Sequence, residues 1–91
     1  MGTKEKTSVS TEVDEVAESL KKLILFNDDH NTFDFIIKAL VEVCKHDSMQ
    51  AENCALIAHY KGKCAIKNGS INDLRPIYVE MTNRQILVEI N

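Results

Sequence analysis

Apolar positions along the chain follow two different periods. Leu23-Ile24-Leu25, closing on Phe26, is an unbroken apolar run of strand length, so a first strand is placed at Lys22 to Phe26. Near-complete apolarity marks it as a central strand, covered on both faces. From Phe33 the spacing changes. Phe33, Ile36, Ile37, Leu40, Val43 and Cys44 recur at i, i+3, i+4, i+7, i+10 and i+11, one stripe of a 3.6-residue period. This predicts a helix that starts at Asn31 or Thr32, with Asn31 and Asp34 as its capping box, and ends near Lys45 or His46. A second helix opens at Asp47, with Gln50 as box partner. Ala51, Cys54, Ala55 and Ala58 share one of its faces, widened by Leu56 and Ile57, and Gly62 stops it. Small side chains on that face let another backbone approach, or leave a hollow.

Lys63 to Lys67 reads as a second strand, with Cys64 and Ile66 to one side and a turn at Asn68-Gly69. Ser70 with Asp73 caps a third helix that runs to about Thr82 or Asn83. Pro76 inside it removes a backbone donor, so a kink or an irregular first turn is expected. Ile86 to Ile90 closes the domain as a third strand. The order β-α-α-β-α-β predicts an α+β single domain, a three-stranded, mainly antiparallel sheet packed against three helices. Residues 1–20 are polar and charged without a sustained apolar period. They read as a flexible N-terminal tail, with the folded core at residues 21–91.

Ninety-one residues make one domain. With 44% hydrophobic and 27% charged residues the composition is that of a soluble globular chain. The net charge of −3 argues against a nucleic-acid partner, which calls for a basic excess or stripe. No apolar window is long enough to span a membrane. The N-terminus lacks the apolar region of a secretory signal, and Met1-Gly2 followed by Lys6 fails the myristoylation pattern. Cys44, Cys54 and Cys64 are odd in number and spaced by ten, which predicts free thiols in a reducing compartment rather than a zinc site.

The chemistry concentrates in Phe26-Asn27-Asp28-Asp29-His30-Asn31-Thr32-Phe33-Asp34-Phe35, a strand-to-helix turn with two carboxylates and two amides beside apolar neighbours. Such a turn suits a small cation held by several oxygens: a metal, a catalytic proton or an ammonium. Calcium is disfavoured, because Phe33 stands where a third oxygen belongs and the loop glycine is missing. Adjacent carboxylates usually point apart, which weakens an acid/base pair. The plainer reading is a helix cap and a solvated turn. His59, at the end of the small-faced helix, is the second candidate, while His30 and His46 sit in loop-like, solvated places. There is no spacing for a catalytic nucleophile and no glycine-rich phosphate loop. Three Phe, two Tyr and no Trp form no base-stacking platform, and Tyr60 reads as a surface residue or a lid.

Leu23-Ile-Leu-Phe-Asn-Asp-Asp-His-Asn-Thr-Phe-Asp-Phe, followed by Ala58-His-Tyr-Lys-Gly-Lys63, resembles the ClpS family of adaptors of the ATP-dependent Clp protease. The likeness covers roughly Lys22 to Ile90, and the two motifs together are specific. It implies an adaptor without catalytic activity or cofactor. Such an adaptor binds the free α-amino group and bulky first side chain (Leu, Phe, Tyr or Trp) of substrate proteins. It delivers them to an AAA+ unfoldase of the ClpA or ClpC type in the bacterial cytoplasm, with the N-terminal tail taking part. The resemblance assigns Asn27, Asp28, Asp29 and His59 to the α-amine. It assigns Leu25, Asn31, Phe33, Ile36, Ala55, Ala58 and Ile86 to the apolar pocket. Phe33 and Ala55 stand where many relatives carry Met, so one wall is expected to bulge and the opposite one to recede. Unfoldase contacts of the family fall partly on the third helix, which is shorter here. The rival readings are a ribosomal stalk-like interaction module with no use for the turn, and a metal-dependent hydrolase using Asp28, Asp29 and His59.

Overall fold

The computed structural model describes residues 20–91. The reading of residues 1–20 as a tail therefore lies outside the described residues, except for Leu20, which already belongs to the first strand, β1 (Leu20–Phe26). Leu23, Ile24 and Leu25 are all buried. A strand apolar on both faces must be covered on both, and β1 is accordingly the middle strand of the order β2-β1-β3. Both partners run antiparallel to it. The observed order of elements is the expected β-α-α-β-α-β.

Helix α1 (Phe33–Glu42) is capped by Thr32, whose Oγ1 accepts from the Phe35 N–H at 3.1 Å. Asn31 does not serve as the cap, because its side chain is engaged with Asp28 and Gln85. The helix also stops earlier than the apolar stripe suggests. Lys45 adopts φ 63°, the left-handed region, which turns the chain away. The stripe still packs: Ala39, Leu40 and Cys44 are buried, and Ile36, Ile37 and Val43 lie against them.

Helix α2 (Ser48–Lys61) begins at Asp47, whose Oδ1 accepts from the Gln50 N–H at 2.8 Å. It ends at Gly62, at φ 97°. Ala51, Ala55 and Ala58 face the core. Leu56, 38% exposed, stands at the edge of this face, while Ile57, 42% exposed, lies around the helix from the alanine row and does not widen it.

Strand β2 (Lys63–Ser70) runs straight through Asn68-Gly69, which pair with Lys22 and Lys21. The expected turn is absent because the ladder with β1 satisfies this backbone until Ser70 caps the next helix. Leu23 pairs with Lys67 and Ile24 with Ala65, leaving Ile66 as the extra residue of a β-bulge. At this bulge His46, expected in solvent, is instead buried, its Nε2 2.6 Å from the Ile66 carbonyl. A carbonyl only accepts, so Nε2 carries the proton. Lys67 Nζ donates to the Cys44 carbonyl at 3.1 Å. Together these bonds fasten the α1–α2 connection to β2.

Helix α3 (Ile71–Asn83) is capped by Ser70 Oγ, which accepts from the Asp73 N–H at 3.1 Å, and it stays unbroken across Pro76. Arg84 follows, 2.9 Å from Glu42 and 3.3 Å from Glu80, linking the ends of α1 and α3. Strand β3 is only Val88–Ile90. It begins later than Ile86 because Gln85, at φ 64°, first turns the chain, and Ile86 sinks into the core. Leu23, Leu25, Leu40, Leu74 and Met81 are the largest fully buried side chains, each contributing on the order of 1.5–3 kcal/mol. Burial pushes the Cys44 thiol up to about 11, with Lys67 pulling weakly the other way. Burial also pushes Cys54 up to about 11, helped by the neighbouring Cys64. All three cysteines are free.

Candidate functional site

A cavity of about 540 Å³ opens between the end of β1, the turn that follows it, the start of α1 and the second half of α2. Its depth comes from packing. Leu25, Ala55 and Ala58 are only 2–4% exposed and form the base with half-buried Ile36, and the alanines leave the volume unfilled. Phe33, Leu56 and Tyr60 are far more exposed and form the rim. Asn27, Asp28, Asp29, Asn31 and His59 bring oxygens and ring nitrogens to the same opening.

Two residues widely separated in sequence meet through one backbone bond. The Asn27 N–H donates to the Gly62 carbonyl at 2.9 Å, extending the β1–β2 ladder by one step. Gly62 also closes α2, its N–H bonded to Ala58 at 2.9 Å, so the helix end carrying His59 is held beside the turn. The His59 and Tyr60 rings stand edge to face, with centroids 4.9 Å apart.

Within the turn, Asp28 is occupied by its own loop. Oδ1 accepts from the backbone N–H groups of His30 (2.9 Å) and Asn31 (3.0 Å), and Oδ2 lies 3.4 Å from Asn31 Nδ2. This is the Asx-type turn for which aspartate is favoured. Across the turn, Asn31 Nδ2 donates to the Gln85 carbonyl at 2.9 Å and His30 Nε2 lies 3.0 Å from Gln85 Oε1.

All the residues assigned from sequence line this cavity except Ile86, which is 2% exposed in the core behind it. Sequence reasoning missed Phe26 and Leu56 as lining residues and left Tyr60 between surface and lid. Leu56 lay within reach of a helical-wheel argument, since it sits three residues before His59 and next to Ala55. Tyr60, at 78% exposed, stands at the mouth. Among the described residues no group of three His, Cys, Asp or Glu side chains is arranged to hold a metal ion. Among the described residues no helix is long and apolar enough to cross a membrane.

The lining contains two carboxylates and no Lys or Arg, above an apolar base. Such a site suits a cationic polar group joined to an apolar body, and the class it defines is a small α+β binding domain. Residues 16–84 match the sequence model of the ATP-dependent Clp protease adaptor protein ClpS. The ClpS adapter of Shewanella halifaxensis is 35% identical over 83 residues, covering 89% of this chain and 81% of that protein. That of Shewanella pealeana is 38% identical over 69 residues, covering 74% and 68%. Agrobacterium tumefaciens ClpS2, solved bound to L-phenylalaninamide, superposes with a TM-score of 0.76 over 80% of this chain and 95% of that one. At 18% identity the superposition establishes the shared fold. The chain belongs to the ClpS family, the adaptors of the ATP-dependent Clp protease.

Proposed function

We propose that the cavity captures the N-terminal residue of substrate proteins. Its mouth takes the free α-amino group through Asn27, Asp29 and His59, and its base takes a bulky hydrophobic first side chain: Leu, Phe, Tyr or Trp. The adaptor then hands the substrate to a Clp AAA+ unfoldase of the ClpA or ClpC type. It has no catalytic step of its own, and the setting is the bacterial cytoplasm, where three free thiols stay reduced. The observation that carries this reading is the convergence of the turn and the end of α2 on one cavity with an acceptor-rich mouth and an apolar floor.

The chemistry is consistent. A buried α-ammonium has three N–H donors and needs three acceptors. An amide oxygen, a carboxylate and a neutral imidazole nitrogen supply them. Hydrogen bonds to a charged group are worth about 1.5–3 kcal/mol each. Burying a Leu or Phe side chain adds about 1.5–3 kcal/mol. After the cost of association, affinity falls near the micromolar range, about −8 kcal/mol. The ligand of the Agrobacterium structure, L-phenylalaninamide, combines a free α-amine, a benzyl group and an amide where a peptide would continue, which supports carrying the reading over. Phe33 on the rim and Ala55 at the base set which side chain is preferred. Asp28 contributes charge and loop geometry.

The test is a panel of fluorescent peptides differing only in residue one, each paired with its N-acetylated twin. Peptides beginning with Leu or Phe bind and their acetylated forms do not. Equal binding of both forms removes amine recognition.

A further inference from the structure

We propose that Gln85 is a positioning residue for α-amine recognition: it latches the Asn27–Asn31 turn from outside the cavity. The proposal rests on the reading of the pocket given above.

The turn has a strong internal brace in Asp28 and is fixed at its ends, by Asn27 N–H to Gly62 and by the Thr32 cap of α1. These bonds shape the loop, but they leave its middle, Asp29 to Asn31, without support across the sheet edge. Among the described residues that support comes from one place. Gln85 uses both of its acceptors on the turn, the main-chain carbonyl for Asn31 Nδ2 (2.9 Å) and Oε1 for His30 Nε2 (3.0 Å). An amide oxygen only accepts, so His30 donates from Nε2.

Gln85 is itself held in an unusual state. It has φ 64°, a left-handed conformation uncommon outside Gly, Asn and Asp. Its surroundings enforce it. The Gln85 N–H bonds to Thr82 at 2.8 Å, the next N–H, of Ile86, returns to Met81 at 3.0 Å, and Arg84 is pinned to Glu42 and Glu80. Ile86, buried in the core, anchors the segment from behind. This is the left-handed residue that commonly closes a helix, as Lys45 does at φ 63° after α1; what sets Gln85 apart is that both of its acceptors face the loop that carries Asp29. Asn31 joins the two systems: its side chain lines the cavity, contacts Asp28 and bonds Gln85. Gln85 does not itself line the cavity, so it acts through His30 and Asn31.

The experiment measures peptides beginning with Leu, free and N-acetylated, against wild type, Gln85→Ala, Gln85→Gly, His30→Ala and the His30→Ala/Gln85→Ala double variant. Alongside, amide exchange of His30 and Asn31 is followed in the unliganded proteins. Gln85→Gly relieves the left-handed strain while removing the same side chain, which separates the latch from strain. Both Gln85 variants and His30→Ala should weaken the free-amine peptide about three- to tenfold, the loss of one net hydrogen bond. Exchange at the two amides should accelerate, and the acetylated peptide should remain at background in every variant. The double variant should be no worse than either single one. Gln85→Glu keeps an acceptor for His30 Nε2 and should retain wild-type binding when His30 is present, but should not offset the loss beside His30→Ala, which excludes a through-space charge effect. Unchanged free-amine affinity in the Gln85 variants, additive losses in the double variant, or equal loss for both peptide forms would each overturn the latch. Wild-type protein that binds free and acetylated peptides equally overturns the pocket reading, and the latch with it.

Discussion

Asp28 and Asp29 are neighbours with the same charge, but it is Asp28 that its own loop engages, while Asp29 lines the cavity. Replacing Asp28 by Ala removes the acceptor of the His30 and Asn31 backbone N–H groups at 2.9 and 3.0 Å and of Asn31 Nδ2 at 3.4 Å. The turn is partly solvated, so water replaces much of what is lost. Counting only the two short bonds at about 0.5–1 kcal/mol each gives a destabilisation of about 1–2 kcal/mol. For a domain of this size that lowers the melting temperature by roughly 5–15 °C, and amine binding falls as the loop loosens. Asp28→Asn behaves differently. Asn keeps one oxygen for the two backbone donors and is itself a favoured turn residue. It gives up the weakest bond and one negative charge. At a separation of roughly 7 Å in a water-like dielectric that charge is worth about 0.6 kcal/mol to an ammonium, a two- to threefold change in Kd. Thermal melts by circular dichroism and peptide anisotropy on the same preparations decide the matter. If Asp28→Asn abolishes binding while both variants melt like the wild type, Asp28 grips the ligand directly and this division of labour is wrong.

Three further outcomes follow from the structure. Gly62→Ala meets no atom within 4 Å but must adopt φ 97°, so urea denaturation should show a loss of about 1–2 kcal/mol from backbone strain alone. The Cys44 thiol is pushed up to about 11 in the folded protein from an ordinary 9.0. The unfolded chain therefore loses that proton first, and stability present below pH 9 is lost between pH 9 and 11. The full effect is about 2–3 kcal/mol, and Cys44→Ala should make that part of the stability–pH curve less steep, with Cys54, also pushed up to about 11, supplying the remaining slope, even though it lowers the curve as a whole. Asp29 lines a cavity whose wall has no Lys or Arg; Asp29→Asn should cut free-amine affinity about tenfold or more, the loss of a charge-assisted bond, while leaving the urea midpoint at or above that of the wild type.

The elements were legible because each carries its own local signal. The 3.6-residue stripe, the Asp47 and Ser70 caps and the Gly62 stop all stand where sequence reasoning put them. Three of the errors share one cause. Asn68-Gly69 has turn chemistry, yet pairing with Lys21 and Lys22 draws it into β2. Asn31 has capping chemistry, yet Asp28 and Gln85 engage its side chain and Thr32 caps instead. His46 has the polarity of a loop residue, yet a carbonyl freed at the Ile66 bulge takes it inside. In each case a long-range partner outcompeted a correct local preference, and no periodicity encodes that partner. The same holds at the site: the two motifs are readable one by one, but their meeting depends on the β1–β2 ladder, which pairs Phe26 with Lys63 and closes with the Asn27–Gly62 bond.

The site's architecture also explains why its polar part is carried on a turn rather than on the sheet. A strand presents its main-chain groups to its neighbours, and in β1 both edges are already paired. Past Phe26 the ladder with β2 makes one last bond, from Asn27 to Gly62, and side-chain oxygens are free to converge from there on. A loop is costly to fix, because each ordered residue gives up about 1–2 kcal/mol of backbone entropy. That cost is offset before any ligand arrives, by Asp28 from within and Gln85 from without. A preorganised mouth loses little further entropy on binding. Its acceptors, held close to one another in water, gain more from meeting an ammonium than from any rearrangement of the free protein. On the function proposed above, selectivity for a charged chain end over its acetylated form would reside in the preorganisation of this turn, and preference among side chains in Phe33 at the rim and Ala55 beneath it.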